Sequence, residues 1–434
     1  MAAAPFPEHP LREVLANELH TRPSEAIEAP AQMTHLAVLT DNPEAMAAHL
    51  AVLCARLGGP APAPGASHFA GNLGTLRVRY EQHTEFCSFT FIRRGLGGDL
   101  PFEKPVLADL PAEWLAALPG AVLSGSHLVL ESRQEPERPP EDLSLRHFAG
   151  NPVVGSLVGG GAAKAYSDLR MHADRCNRIL LRDVDLTANH AGRLVQRLLE
   201  INTYRAMALL AFPEAKTASA ALRRVDMALA ELSARMADAD SPDSDADLLK
   251  ELSALTAEVE AIAASRSYRL AASRAYYDLV QRRLEELRAD RLDPLITFSG
   301  FLERRLAPAM ATCQSVTVRL EELSVRCARS AALLRARVEV DLQAQNKDLL
   351  ASMDRRAKVQ LRLQEAVEGL SVVAISYYLV GLVGYLAKGA KAAGLSLGGW
   401  KIEGELVTGI AVPVVALTVY LGLKRAKKAM GVEH

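Results

Sequence analysis

The chain has 434 residues, enough for two or three domains, and 50 Lys+Arg against 51 Asp+Glu leave a formal net charge of −1. That balance excludes the basic field with which proteins collect nucleic acid, so no nucleic-acid partner is expected. Five cysteines (Cys54, Cys87, Cys176, Cys313, Cys327) with no CxxC and no zinc-ligand spacing read as small packing residues in a reducing compartment; no metal site is expected.

The chain opens on MAAAPFPEHPLREVL, which lacks the basic start and apolar core of a secretory leader, so none is expected. NELHTRP follows (Asn17–Pro23). His20 beside Arg22 reads either as a contact for an anion or another subunit, or as a helix end that Pro23 stops. Residues 1–185 hold most of the Gly, Pro and His and many short β-branched or alternating runs. Strands are predicted at Met33–Thr40, Thr75–Tyr80, Glu85–Arg93, Leu123–Glu131, Pro152–Leu157, Ala163–Met171 and Cys176–Arg182, with helices at Pro43–Leu57 and Leu110–Ala117. GGPAPAPG and QEPERPPED read as loops between them. GNPVVGSLVGGGAAK (Gly150–Lys164) resembles a phosphate loop only superficially. Lys164 follows two alanines and precedes Ala165, so a glycine-turned hairpin is expected. The fold class of 1–185 is α+β.

From Asp185 the pattern turns helical. Asp185 or Thr187 caps a helix that Pro213 is expected to end near Phe212; a second helix runs about Lys216–Met236. The acidic tract ADADSPDSDAD is a solvated turn, the next helix runs about Asp247–Asp290, and Asp293-Pro294 breaks the chain. Residues 186–293 thus form a helical bundle. Pro308 starts a stalk helix (within 294–368) with no further proline or glycine until Gly369. Val316, Leu320, Leu323, Cys327, Ala331, Leu334 and Val338 recur at coiled-coil or bundle spacing, so this helix needs partner helices from its own chain or other copies.

Two uncharged apolar runs close the chain: GLSVVAISYYLVGLVGYLA (369–387) and LVTGIAVPVVALTVYLGL (406–423). Each makes a helix of roughly 27–29 Å, close to the ~30 Å hydrocarbon core of a bilayer. A transmembrane hairpin is expected, with the lipid bilayer as partner, residues 388–405 as external loop and 424–434 as basic tail. Arg355, Arg356, Lys358 and Arg362 precede the first span, and Lys424, Arg425, Lys427 and Lys428 follow the second. The loop has Lys388, Lys391 and Lys401 only, so both chain ends are expected on the cytoplasmic side.

This order of parts, with LSVVAISYYLVGLVGYL locally, resembles the CorA/ZntB metal-transporter architecture. The resemblance implies a homo-oligomer, a pentamer, whose long helices surround a pore for an inorganic ion. NELHTRP, LVQRLLEINTYRAMALL (Leu194–Leu210) and LRLQEAVEGLSVVAISYY (Leu361–Tyr378) resemble, along nearly the full length, a bacterial family of membrane-anchored proteins without assigned function; that implies the inner membrane. One departure matters. CorA-type channels carry Gly-Met-Asn at the outer mouth, where this chain has Lys388-Gly389-Ala390. A lysine ring opposes entry of Mg²⁺, so a different selectivity is expected.

Ser371, Ala374, Tyr378, Gly381, Tyr385 and Lys388 form one stripe along the first span, which Gln360, Gln364 and Val367 extend inward. Such a stripe lines a pore, with Tyr378 as its narrowest ring, or forms a close-packed seam between helices. No HExxH, GxSxG or isolated carboxylate pair is present; neither an enzyme nor a cofactor is expected. A non-conducting anchor or sensor, whose cytoplasmic domain binds a partner or ligand, is the alternative to transport.

Overall fold

Alternating apolar residues in the first half of the chain build one mixed sheet. In the computed structural model, which describes residues 6, 9–12, 15, 24–98, 100–238, 245–393 and 404–429, two compact units are distinguished, Met1–Ala332 and Leu333–His434. The sheet lies in the first. Its strands are β1 (Ala31–Leu39), β2 (His68–Leu73), β3 (Leu76–Gln82), β4 (Phe86–Arg94), β5 (Ala121–Glu131), β6 (Val154–Val158), β7 (Ala163–Met171), β8 (Asn177–Asp183) and β9 (Asp290–Arg291). Their order is β2-β3-β4-β1-β5-β8-β7-β6-β9, and β5–β8 is the parallel pair among antiparallel neighbours. All seven predicted strands are present within two residues of their expected bounds. The glycine-turned hairpin is β6–β7, with Gly159, Gly160 and Gly161 all at positive φ in its turn. β2 and β9 are strands that the sequence does not predict. Gly71 and Asn72 weaken the strand signal in HFAGNL, and β9 exists only because β6 pairs with it.

Period-two alternation sorts residues onto two faces. On one face Leu36, Val38, Val78, Tyr80, Phe89 and Phe91 pack with Leu50 and Leu53 of α1 (Pro43–Arg56) and with Trp114 of α2 (Ala112–Ala116). Asn42 caps α1 by accepting from Ala45 N at 3.0 Å. A second cluster joins Phe102, Val129, Phe148, Tyr166 and Leu180 to Leu143 of α3 (Pro140–His147). The prolines of this stretch predict a loop. Pro140 instead opens the helix, where a residue without an N–H loses nothing.

The other face is covered by α4 (Ala188–Leu209), which Thr187 caps by accepting from His190 N at 3.3 Å. Here the expectation for Pro213 is corrected. α4 ends at Leu209, and Pro213 sits in the first turn of α5 (Ala211–Ala237), where it breaks no helical hydrogen bond. α6 (Asp245–Glu286) follows, then the cis Asp293-Pro294 peptide and α7 (Phe298–Arg305), a short helix the sequence reading missed. Thr297 caps it, accepting from Gly300 N at 3.1 Å. Helix α8 (Ala307–Ala392) then runs 86 residues without a break, with Pro308 in its first turn.

The predicted apolar seam of α8 is buried from Val316 through Cys327 to Leu334, and Val338 is half-buried. Its partners are helices of the same chain: Arg326 pairs with Asp226 of α5 at 2.5 Å, and Ser324 Oγ donates to Glu260 of α6 at 3.1 Å. All five cysteines are free and buried.

Candidate functional site

The second unit holds the rest of α8 and α9 (Gly404–Ala429). Both helices are long and apolar enough to cross a membrane. Their most apolar 18-residue windows have mean hydropathies of 1.9 and 2.2, and no residue of either window is buried. Leu370, Leu382, Leu386, Leu406, Ile410 and Leu417 are among the exposed side chains. A Cβ at Gly384 would lie 3.7 Å from Thr408 Oγ1, so α8 and α9 approach closely at a small residue.

The predicted stripe lies on α8. Gln360, Gln364, Val367, Ala374, Tyr378, Gly381, Tyr385 and Lys388 are exposed in the single chain, and Ser371 is half-buried. Ser371 Oγ donates to Val367 O at 2.9 Å, so its polarity is satisfied within its own helix. The helix passes Lys388 and reaches Ala392, so Lys388-Gly389-Ala390 is helical. Arg355, Arg356, Lys358 and Arg362 are exposed on α8, as are Lys424 and Arg425 on α9; Lys427 and Lys428 belong to the same last helix. NELHTRP and most of the inter-helix loop, with Lys401, lie outside the described residues.

In the first unit the fold assembles polar groups that spacing along the chain did not show. His127 on β5 places Nδ1 2.9 Å from Thr34 Oγ1 and Nε2 3.5 Å from Asp174 Oδ2. With Cys176, these groups offer ligand atoms within 4.8 Å of one another. Burial lowers His127 to about 4, against the pull of Asp174, so its ring is neutral at pH 7, as a metal ligand must be. Two features oppose a cation. Burial first and Asp174 second push the Cys176 thiol up to about 12, and Asp174 already accepts from Cys176 N at 3.1 Å with Arg178 Nη2 3.9 Å away. The group therefore acts as a polar joint between β5 and the β7–β8 turn. A cation would have to displace the Cys176 proton to enter it.

A second network lies on the α4 face. Asn202 Nδ2 donates to Ser126 Oγ at 2.5 Å, and Asn202 Oδ1 accepts from Asn177 Nδ2 at 3.0 Å and from Arg205 Nη2 at 2.5 Å. His35 bridges strand and helix nearby, with Nδ1 2.9 Å from Thr90 Oγ1 and Nε2 3.2 Å from Thr203 Oγ1. Ser126, His35 and Thr90 lie in register across β5, β1 and β4, which explains why one helix face meets them all. Only LVQRLLEINTYRAMALL hinted at this region, since Asn202, Thr203 and Arg205 interrupt its apolar run.

Along residues 7–430 the chain matches a family described as protein of unknown function (DUF3422). No curated protein matches it.

Proposed function

The chain belongs to the DUF3422 family, and on that premise we propose that it is a homo-oligomeric membrane protein anchored by a hairpin of α8 and α9. The observation that carries this reading is that no residue of either apolar window is buried in the single chain. Leaving so many large apolar side chains in water costs on the order of tens of kcal/mol at about 1.5–3 kcal/mol each, and a bilayer removes that cost. The basic residues flanking both spans favour a cytoplasmic side for the two chain ends, in an inner membrane.

Self-association rests on the middle of α8. Val340, Leu342, Leu349, Leu350, Met353 and Val359 are exposed there on a continuous helix, ahead of the span. Copies of α8 packed side by side would cover them, in the manner of the CorA/ZntB superfamily, which this order of parts resembles and which suggests five copies. The test is native mass measurement of the full chain in detergent, alongside Leu349→Glu/Met353→Glu. One defined oligomer is expected, dissociated by the double substitution. A monomer would overturn self-association.

A second reading, ion passage, rests on the polar stripe. Tyr378, Gly381, Tyr385 and Lys388 are exposed within or beside an apolar span, where polar groups face water or protein. The Lys388 ring would reject Mg²⁺ and favour a different cargo. Flux of chloride, potassium and Mg²⁺ in liposomes separates the readings: no flux of any ion from a verified oligomer leaves the non-conducting anchor.

A further inference from the structure

Interior arginines of the first unit are paired with carboxylates. Arg79 meets Glu81 at 2.7 Å, Arg138 meets Glu131 at 2.7 Å, Arg269 holds Glu85 at 2.8 Å, and Arg283 pairs with Glu200. Arg205, half-buried on α4, departs from this rule, and two exposed arginines converge on it. Arg175 in the β7–β8 turn, Arg205 on α4 and Arg305 at the end of α7 line one cavity of about 400 Å³. Among the described residues none of the three forms an ion pair, and no Asp or Glu lines the cavity.

We propose that this cavity binds a small amphipathic organic anion with a doubly charged head group, a phosphomonoester or a dicarboxylate. Arg205 is held in place by Asn202, whose amide is fixed in turn by Ser126 and Asn177. One Arg205 N–H is used in that bond; the rest of the guanidinium fork is available for the bidentate contact that carboxylates and phosphates make. Burial lowers Arg205 to about 10, with no carboxylate compensating, so the group is charged at neutral pH and its desolvation is unrelieved. Arg175 and Arg305 are exposed, so they stand where a ligand enters. Arg305 lies 5.9 Å over the Phe301 ring, which orients its guanidinium.

Apart from Ser124, the remaining wall is apolar, with Leu123, Leu169, Met171, Leu209 and Phe301 in it. Inorganic anions would leave it uncovered. The volume is within the usual range for small-molecule sites. A half-buried charge kept without a carboxylate partner is a cost to the fold that a bound anion removes, as expected of a site selected for binding and not for stability.

The test uses the full-length protein in detergent and three probes: 1-naphthyl phosphate, naphthalene-1,8-dicarboxylate and inorganic phosphate. Calorimetry should show at least one naphthalene probe binding more tightly than inorganic phosphate. Arg205→Met should weaken it about tenfold or more, and Arg305→Gln, at the exposed edge, should weaken it by less. Without probe, Arg205→Met should melt at a higher temperature than the wild type. Absence of binding of both naphthalene probes at about 10 mM would overturn the proposal. Equal binding by the wild type and Arg205→Met would do so too; should Arg205→Met not fold, equal binding by the wild type and Arg305→Gln, a change at an exposed residue, would overturn it instead.

Discussion

Acid should loosen the contact between the sheet and α4 through His35. This ring is buried, and burial lowers its pKa from 6.5 to about 4, with Glu81 opposing and His83 and Arg79 adding to the fall. The folded value lies below the unfolded one, so the unfolded chain binds more protons between the two. Stability is full above about pH 6.5 and is lost as pH falls toward 4. At pH 5 the unfolded state is mostly protonated at this site and the folded state mostly not, which amounts to about 2 kcal/mol. His35→Leu removes the titration and also strips Thr90 and Thr203 of their shared partner, costing about 2–4 kcal/mol at pH 7.5. The gap between wild type and variant should therefore narrow by about 2 kcal/mol from pH 7.5 to pH 5. Urea unfolding of the detergent-solubilised protein, followed by emission of the buried Trp114 in a Trp400→Phe background, measures it. His127 and His147, also lowered to about 4, contribute to both proteins and cancel in the difference. A gap that stays constant across this range would refute the assignment of a neutral, buried His35.

Gly192→Ala should destabilise the first unit by about 3 kcal/mol or more, because a Cβ there would overlap the Glu25 carbonyl, and the chain at Ile27 is tied to α4 by Ile27 N donating to Ala188 O at 3.0 Å; thermal melting would show it, and an unchanged midpoint would contradict it. Arg269→Met leaves Glu85, held by two bonds of 2.8 and 3.0 Å, without its cation; a loss of about 3 kcal/mol is expected, with faster amide exchange in the β3–β4 turn. Leu382→Asp places a charge in the proposed first span at a cost of about 3 kcal/mol, so the protein should shift toward the soluble fraction on alkaline extraction of membranes.

Much of the fold is legible along the chain because alternation and helical periodicity are local. Seven strands and the long helices follow from them. The failures share a cause. β9 is two residues long and exists through pairing with β6, and Pro213 terminates nothing because the chain had already turned at Leu210. α3 opens on a proline in a run that reads as a breaker. The site is less legible than the fold. The stripe on α8 is a periodic feature and was readable, whereas His127, Asp174 and Cys176 meet only through the parallel β5–β8 pairing. Arg175, Arg205 and Arg305 stand 30 and 100 residues apart and share a cavity only once α4 and α7 are in place. Their signal is the absence of carboxylate partners, which no one-dimensional pattern carries.

Topology by thiol labelling tests the central claim, that α8 and α9 cross a bilayer as a hairpin. The five native cysteines are buried, so single added cysteines report cleanly. In right-side-out vesicles a membrane-impermeant maleimide should modify Ser396→Cys at once and Glu433→Cys only after permeabilisation. Equal labelling of both before permeabilisation, or recovery of the chain outside the membrane fraction, would contradict it.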